Sequence, residues 1–121
     1  MTSILVVDDE YLIADILAYA LEDEGYLVVT ASNGQKGLEI LDHQWPSLVI
    51  TDFMMPRMDG LEFARAIRSR HTPCNLPIIL MSGAQASLGR ASPELFAAVF
   101  DKPFDISDVI SKVRELVGPP K

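Results

Sequence analysis

Apolar residues gather in five short unbroken runs: Ile4 to Val7, Leu27 to Val29, Leu48 to Ile50, Ile78 to Met81 and Ala97 to Phe100. Each has the length of a β-strand and none alternates with polar residues, which is the pattern of parallel strands covered on both faces. Between the runs the apolar spacing changes to steps of three and four. Ile13, Ile16, Leu17, Ala20 and Leu21 predict a helix from about Glu10 to Glu24, stopped by Gly25. Ser32, with Gln35 three residues later, predicts a capping box for a second helix that carries Leu38 and Leu41 and ends at Trp45-Pro46. Trp45 then sits at the entry of the third strand. Asp59 with Glu62 opens a third helix through Leu61, Ala64 and Ile67. Asp105 opens a last one through Ile106, Val109, Ile110, Val113 and Leu116 to Gly118-Pro119-Pro120.

The crossover from Gly83 to Leu95 departs from this pattern, because Gly89 and Pro93 interrupt it and its apolar spacing is poor. A short turn of helix, capped at Ser92-Pro93-Glu94, is predicted there in place of a full-length helix. Five βα units joined by right-handed crossovers predict an α/β fold of the flavodoxin-like kind. Its five-stranded parallel sheet has the order 2-1-3-4-5, with helices on both faces and a short or irregular fourth helix. The 121 residues are the size of a single domain, 1–121, with 118–121 as a tail or the start of a linker.

Composition narrows the function classes. No segment approaches the roughly 20 apolar residues of a membrane span, and the N-terminus lacks the pattern of a secretory signal. The single cysteine, Cys74, reads as a loop thiol and fits a reducing compartment, so a cytoplasmic location without membrane insertion is expected. Acids number 17 against 10 bases, a formal charge of −7, which argues against direct binding to nucleic-acid phosphates.

In a doubly wound sheet, ligands bind outside the carboxyl ends of the strands. Asp8, Asp9 and Glu10 follow the first run, Thr51 and Asp52 the third, Ser82-Gly83 the fourth, and Asp101-Lys102-Pro103 the fifth. Strands one and three are neighbours in the predicted order, so three aspartates converge. Such like charges repel unless a cation or a raised pKa relieves them. Hard oxygen donors without histidine or thiolate favour Mg²⁺. Lys102 adds a mobile positive charge and Ser82 a hydroxyl donor, a set suited to phosphoryl transfer onto a carboxylate. Asp15, Glu22, Asp23 and Glu24 read as a solvated helix face, as do Arg65, Arg68 and Arg70. His43 and His71 lie far in sequence from the strand ends and receive no chemistry.

The segments VVDDE (6–10), VITDFMMPRMDG (49–60), MSG (81–83) and FDKPF (100–104) resemble, in order and spacing, the receiver domain of two-component response regulators, and the resemblance covers essentially the entire chain. It implies a phosphorylation-controlled signalling receiver. Such a domain is not a classical enzyme, although it catalyses its own aspartyl phosphorylation and dephosphorylation. Carried over position by position, Asp52 is the phosphoacceptor, and Asp8, Asp9, Asp52 and the backbone carbonyl of Met54 hold Mg²⁺. Ser82 and Lys102 contact the phosphoryl group. Pro103 matches a proline that often follows a cis bond. The implied partners are a histidine kinase or phosphotransfer protein and a downstream effector protein, with the receiver a monomer or weak homodimer.

One position departs from that pattern. The aromatic switch of the family stands three residues before the lysine, where this chain has Val99, and neighbouring Phe100 points to the opposite face of the strand. An atypical output route is therefore expected. Other readings fit less well. A metal-dependent phosphohydrolase of the aspartyl-phosphate type needs a second aspartate two residues beyond the first, where Met54 stands. A nucleotide or flavin binder needs a glycine-rich loop after the first strand, where Asp8-Asp9-Glu10 stands. An adaptor indifferent to phosphorylation leaves the full set of acceptor-site residues without a role.

Overall fold

The computed structural model describes residues 2–70, 75–83 and 86–120. The loop readings of His71 and Cys74 fall outside the described residues. Five parallel strands, β1 (Ser3–Val7), β2 (Leu27–Ala31), β3 (Leu48–Asp52), β4 (Ile78–Ser82) and β5 (Ala98–Asp101), form one sheet of order β2-β1-β3-β4-β5. Helices α1 (Tyr11–Asp23), α2 (Gly34–His43), α3 (Gly60–Arg70), α4 (Ala86–Arg90) and α5 (Ile106–Val117) fill the crossovers and the end of the chain.

The unbroken apolar runs follow from burial on both faces. Every residue of β3 and β4 is buried, whereas the edge strands β2 and β5 are largely half-exposed. Successive residues of each central strand enter opposite cores. Leu5, Val7, Val49, Ile78 and Leu80 pack with Leu41 of α2 and with Phe63 and Ile67 of α3. Ile4, Val6, Ile50, Ile79 and Met81 pack with Leu17 and Leu21 of α1 and Val109 and Val113 of α5.

Polar side chains cap the starts of α2, α3 and α5. Asp59 and Glu62 form a reciprocal box at α3: each side chain accepts the other's backbone N–H, at 2.8 and 3.1 Å. Asp105 caps α5 through the Ser107 N–H at 2.8 Å, and α5 ends at Gly118 with φ +78°. Trp45 lies before β3, at the end opposite Asp52.

Two expectations need correcting. Helix α2 is capped by Asn33, whose Oδ1 accepts the Lys36 N–H at 2.8 Å, and not by Ser32. Asparagine is as good a cap as serine, and starting one residue later puts Gly34 where an added Cβ would stand 2.8 Å from Met58 Sδ. The fourth helix is short as predicted, but it is Ala86–Arg90 and contains Gly89. Ser92-Pro93-Glu94 forms only a turn, closed by the Leu95 N–H on the Ser92 carbonyl at 3.0 Å. Gly89 does not break the helix; it lets the helix backbone approach the sheet, because a Cβ there would stand 2.3 Å from Leu80 Cδ2.

Candidate functional site

Asp8 leaves β1 just past its last paired residue, with its N–H on the Ala31 carbonyl at 3.1 Å. Its carboxylate turns back and accepts the Glu10 N–H at 2.9 Å, a local turn that starts the path into α1. Asp52 closes β3, and the Phe53 N–H beyond it bonds the Met81 carbonyl at 3.0 Å. Both carboxylates are almost fully buried, at 3% and 4% exposure. Lys102 directly follows the last residue of β5, and its bond onward to Pro103 is cis, as the resemblance led one to expect. Its ammonium reaches across the sheet end to Asp52 Oδ1 at 2.9 Å, Asp8 Oδ2 at 3.5 Å and Glu10 Oε1 at 3.9 Å.

Asp8, Asp9, Glu10 and Asp52 each offer an oxygen within 4.8 Å of the others. Asp9 and Glu10 are exposed while Asp8 and Asp52 are buried, so the cluster has a wet and a dry side. Ser82 ends β4, and its Oγ is buried without a hydrogen-bond partner among the described residues. An orphaned hydroxyl of this kind is uncommon. Met54 lies two residues past Asp52 in the exposed loop that leads to α3. The sequence places Glu10 among the strand-end acids but assigns it no role toward metal or Lys102. Its place directly after Asp8 and Asp9 was the available signal, and its approach to Lys102 depends on how β5 ends.

Burial pushes the Asp8 carboxyl up to about 6, and the neighbouring charge of Asp52 adds to the effect, against the Glu10 N–H and Lys102. Asp52 is also raised by burial, opposed by its hydrogen bond and charge pairing with Lys102. For Lys102, burial disfavours the ammonium, but Asp52, Asp8 and Glu10 outweigh it and hold its pKa above the usual lysine value. The arrangement is thus a partly dry, net-negative pocket with one close cation among the described residues. Its hard carboxylate donors fit a small divalent cation such as Mg²⁺. The unpartnered Ser82 hydroxyl fits an incoming oxygen-rich group.

Val99 packs into the core shared with α2 and α3, and Phe100 into the core shared with α1 and α5. The strand pleat therefore keeps Phe100 from standing in for an aromatic at position 99.

The family model for the response regulator receiver domain matches residues 4–114. The response regulator MprA of Mycolicibacterium vanbaalenii is 36% identical over 117 residues, which cover 94% of this chain and 49% of that protein. MprA of Mycobacterium sp. (strain KMS) is likewise 36% identical, with 50% of its length covered. The chain spans about half the length of the curated relatives it matches. Among solved structures, the NtrX receiver domain from Brucella abortus superposes with a TM-score of 0.86 at 30% identity, covering 94% of this chain and 97% of that one. The response regulator TrrA from Thermotoga maritima, solved in complex with Mg²⁺-BeF, superposes with a TM-score of 0.85 at 34% identity, covering 96% and 99%. With its sheet order, its strand-end acids and these similarities in agreement, the chain belongs to the response regulator receiver domain family.

Proposed function

We propose that the chain accepts a phosphoryl group on Asp52 from a partner histidine kinase or phosphotransfer protein, and that this changes a surface read by an effector protein. The observation that carries the reading is one constellation. A buried Asp52 carboxylate meets the Lys102 ammonium at 2.9 Å, beside three further acids and the unpartnered Ser82 hydroxyl. The family's role in phosphorylation-dependent signalling and the Mg²⁺-BeF complex of TrrA support it.

In the step, an Asp52 oxygen attacks phosphorus in line and the bond from phosphorus to the donor nitrogen breaks. That nitrogen leaves with the bonding pair and is protonated from solvent. Lys102 holds the attacking carboxylate in place beforehand and takes up charge on the phosphoryl oxygens afterwards. The Ser82 Oγ donates its hydrogen bond to one of those oxygens. Asp8, Asp9, Asp52 and the Met54 carbonyl are the donors for Mg²⁺, which when bound offsets the charge gathered in the pocket. Water later attacks the acyl phosphate and releases inorganic phosphate, returning Asp52 to its carboxylate.

Incubation with a small phosphodonor such as acetyl phosphate and Mg²⁺ tests the reading. A single acid-stable, base-labile phosphoryl group is expected, lost in Asp52→Ala and on chelation of the metal. Equal labelling of the Asp52→Ala protein overturns it.

A further inference from the structure

The outer side of β2, at one edge of the sheet, is open. The Leu27 N–H donates to the Thr2 carbonyl at 3.0 Å, and the Ala31 carbonyl accepts the Asp8 N–H at 3.1 Å. Alternate residues from Leu27 to Ala31 therefore turn their backbone toward β1. Val28 and Thr30 point their N–H and C=O the other way, where no strand lies among the described residues. Edge strands are usually guarded by a charge, a proline or a bulge. β2, with the sequence LVVTA paired to β1 at every position, has none of these. The opposite edge is guarded, because β5 ends in Asp101, whose carboxylate meets Arg90 of α4 at 2.9 Å.

The open edge is flanked by a cleft. Asp15 of α1, Thr30 at the end of β2, and Lys36 and Glu39 of α2 line a hollow of about 470 Å³. A second hollow, of about 390 Å³, continues past Val29 along α2 and shares Glu39 and Ile40 with the first. Val29 and Ile40 are half-buried and supply an apolar strip. Two hollows in succession beside a strand edge match the alternate side chains of an added strand, which lie roughly 7 Å apart. The walls are mainly acidic. Asp15 and Glu39 are exposed and have no ion-pair partner among the described residues, whereas Asp42 on the same helix as Glu39 is held by Arg70 at 3.1 Å. Helix α1 carries Asp15, Glu22 and Asp23 and no basic residue.

We propose that this edge is a docking surface for an extended segment of a partner protein in which apolar and basic residues alternate, added to β2 as a sixth strand. Its backbone pairs with Val28 and Thr30, its apolar side chains seat on Val29 and Ile40, and its basic ones face the acids of α1. Main-chain bonds supply the affinity and the alternate side chains the selectivity. The acids decide between occupants. A second copy of this chain, pairing β2 with β2, sets like carboxylates against each other, whereas a basic strand is attracted by them. The surface is formed without Asp52, so the proposal does not rest on that residue's role as phosphoacceptor.

Titration with a short acetylated peptide of alternating lysine and valine tests it, read by NMR as amide exchange and chemical shift. At ten times its Kd the peptide is expected to slow exchange of the Val28 and Thr30 amides about tenfold. A peptide with glutamate in place of lysine is expected to give no protection. Thr30→Pro removes an outward N–H at an edge position, where proline is tolerated, and is expected to abolish protection of Val28. Asp15→Lys combined with Glu39→Lys leaves the backbone untouched and is expected to weaken binding about tenfold. Peptide binding with unchanged exchange at Val28 and Thr30 overturns the added strand, and undiminished binding to the doubly substituted protein overturns the basic partner. Protection that needs no peptide and grows with protein concentration makes the occupant a second copy and overturns the proposal.

Discussion

Two charged constellations stand one residue apart at the end of β5 and differ in nearly everything else. Lys102 faces inward to buried Asp8 and Asp52, an unbalanced group in which burial drives both carboxyls upward. Asp101 and Arg90 face outward as a matched, exposed pair in which each holds the other in its charged form. Both set a basic side chain against carboxylates; the balance of charge and the access of solvent differ. Where water is excluded, charge is stored as destabilisation that a ligand can relieve, and where water is present it is nearly free to rearrange.

The most severe test of that contrast is Asp8→Asn. The amide keeps an acceptor for the Glu10 N–H and removes a carboxylate that folding holds far above its ordinary value. Stability at pH 7 is expected to rise by about 2–3 kcal/mol in urea unfolding. The sign follows from proton binding. Between the ordinary value of 3.8 and about 6 the folded protein holds a proton on Asp8 that the unfolded chain has lost. Stability contributed by Asp8 is therefore present at low pH and falls as pH rises through that window. Wild-type protein should be more stable near pH 5 than at pH 7, and Asp8→Asn should flatten that difference. An unchanged urea midpoint in the variant would show that the cluster stores no destabilisation.

Gly89→Ala probes the other region. Leu80, against which the added methyl group presses, is fully buried, so overpacking of about 1–3 kcal/mol is expected in the same assay. Added Mg²⁺ should stabilise the folded protein by about 1.4 kcal/mol at ten times its Kd. The effect should vanish in Asp52→Ala combined with Asp8→Asn, as read by thermal melting. At the small end, Asp101→Asn is expected to leave the urea midpoint where it is while quickening exchange in α4. A large loss of stability there would mean that the exposed pair is structural rather than free to open.

Much of this was legible in the chain itself. Asp8, Asp52, Ser82 and Lys102 each follow an apolar run, and the doubly wound topology brings the ends of those runs together. Asp59 with Glu62 announced the start of α3 by spacing alone. Other features were not legible. Ser32 and Asn33 are both good caps, and the one used depends on the fit of Gly34 against Met58. Gly89 reads as a helix breaker until β4 and β5 are placed beneath it. Nothing in the spacing of Arg90 and Asp101 signals a pair, because the turn between them sets their approach.

Unbroken apolar runs and three-to-four spacing by themselves determined the order of elements, the sheet and the strand ends at which the acids gather. These are local properties, repeated along the chain and read from residue type alone. Tertiary structure alone decided that Lys102 meets Asp52 at 2.9 Å, that Asp8 is driven to about 6, and that α4 rests its backbone on Val99. Desolvation and close contact depend on what distant segments cover a group, and side-chain pattern does not encode that covering one residue at a time.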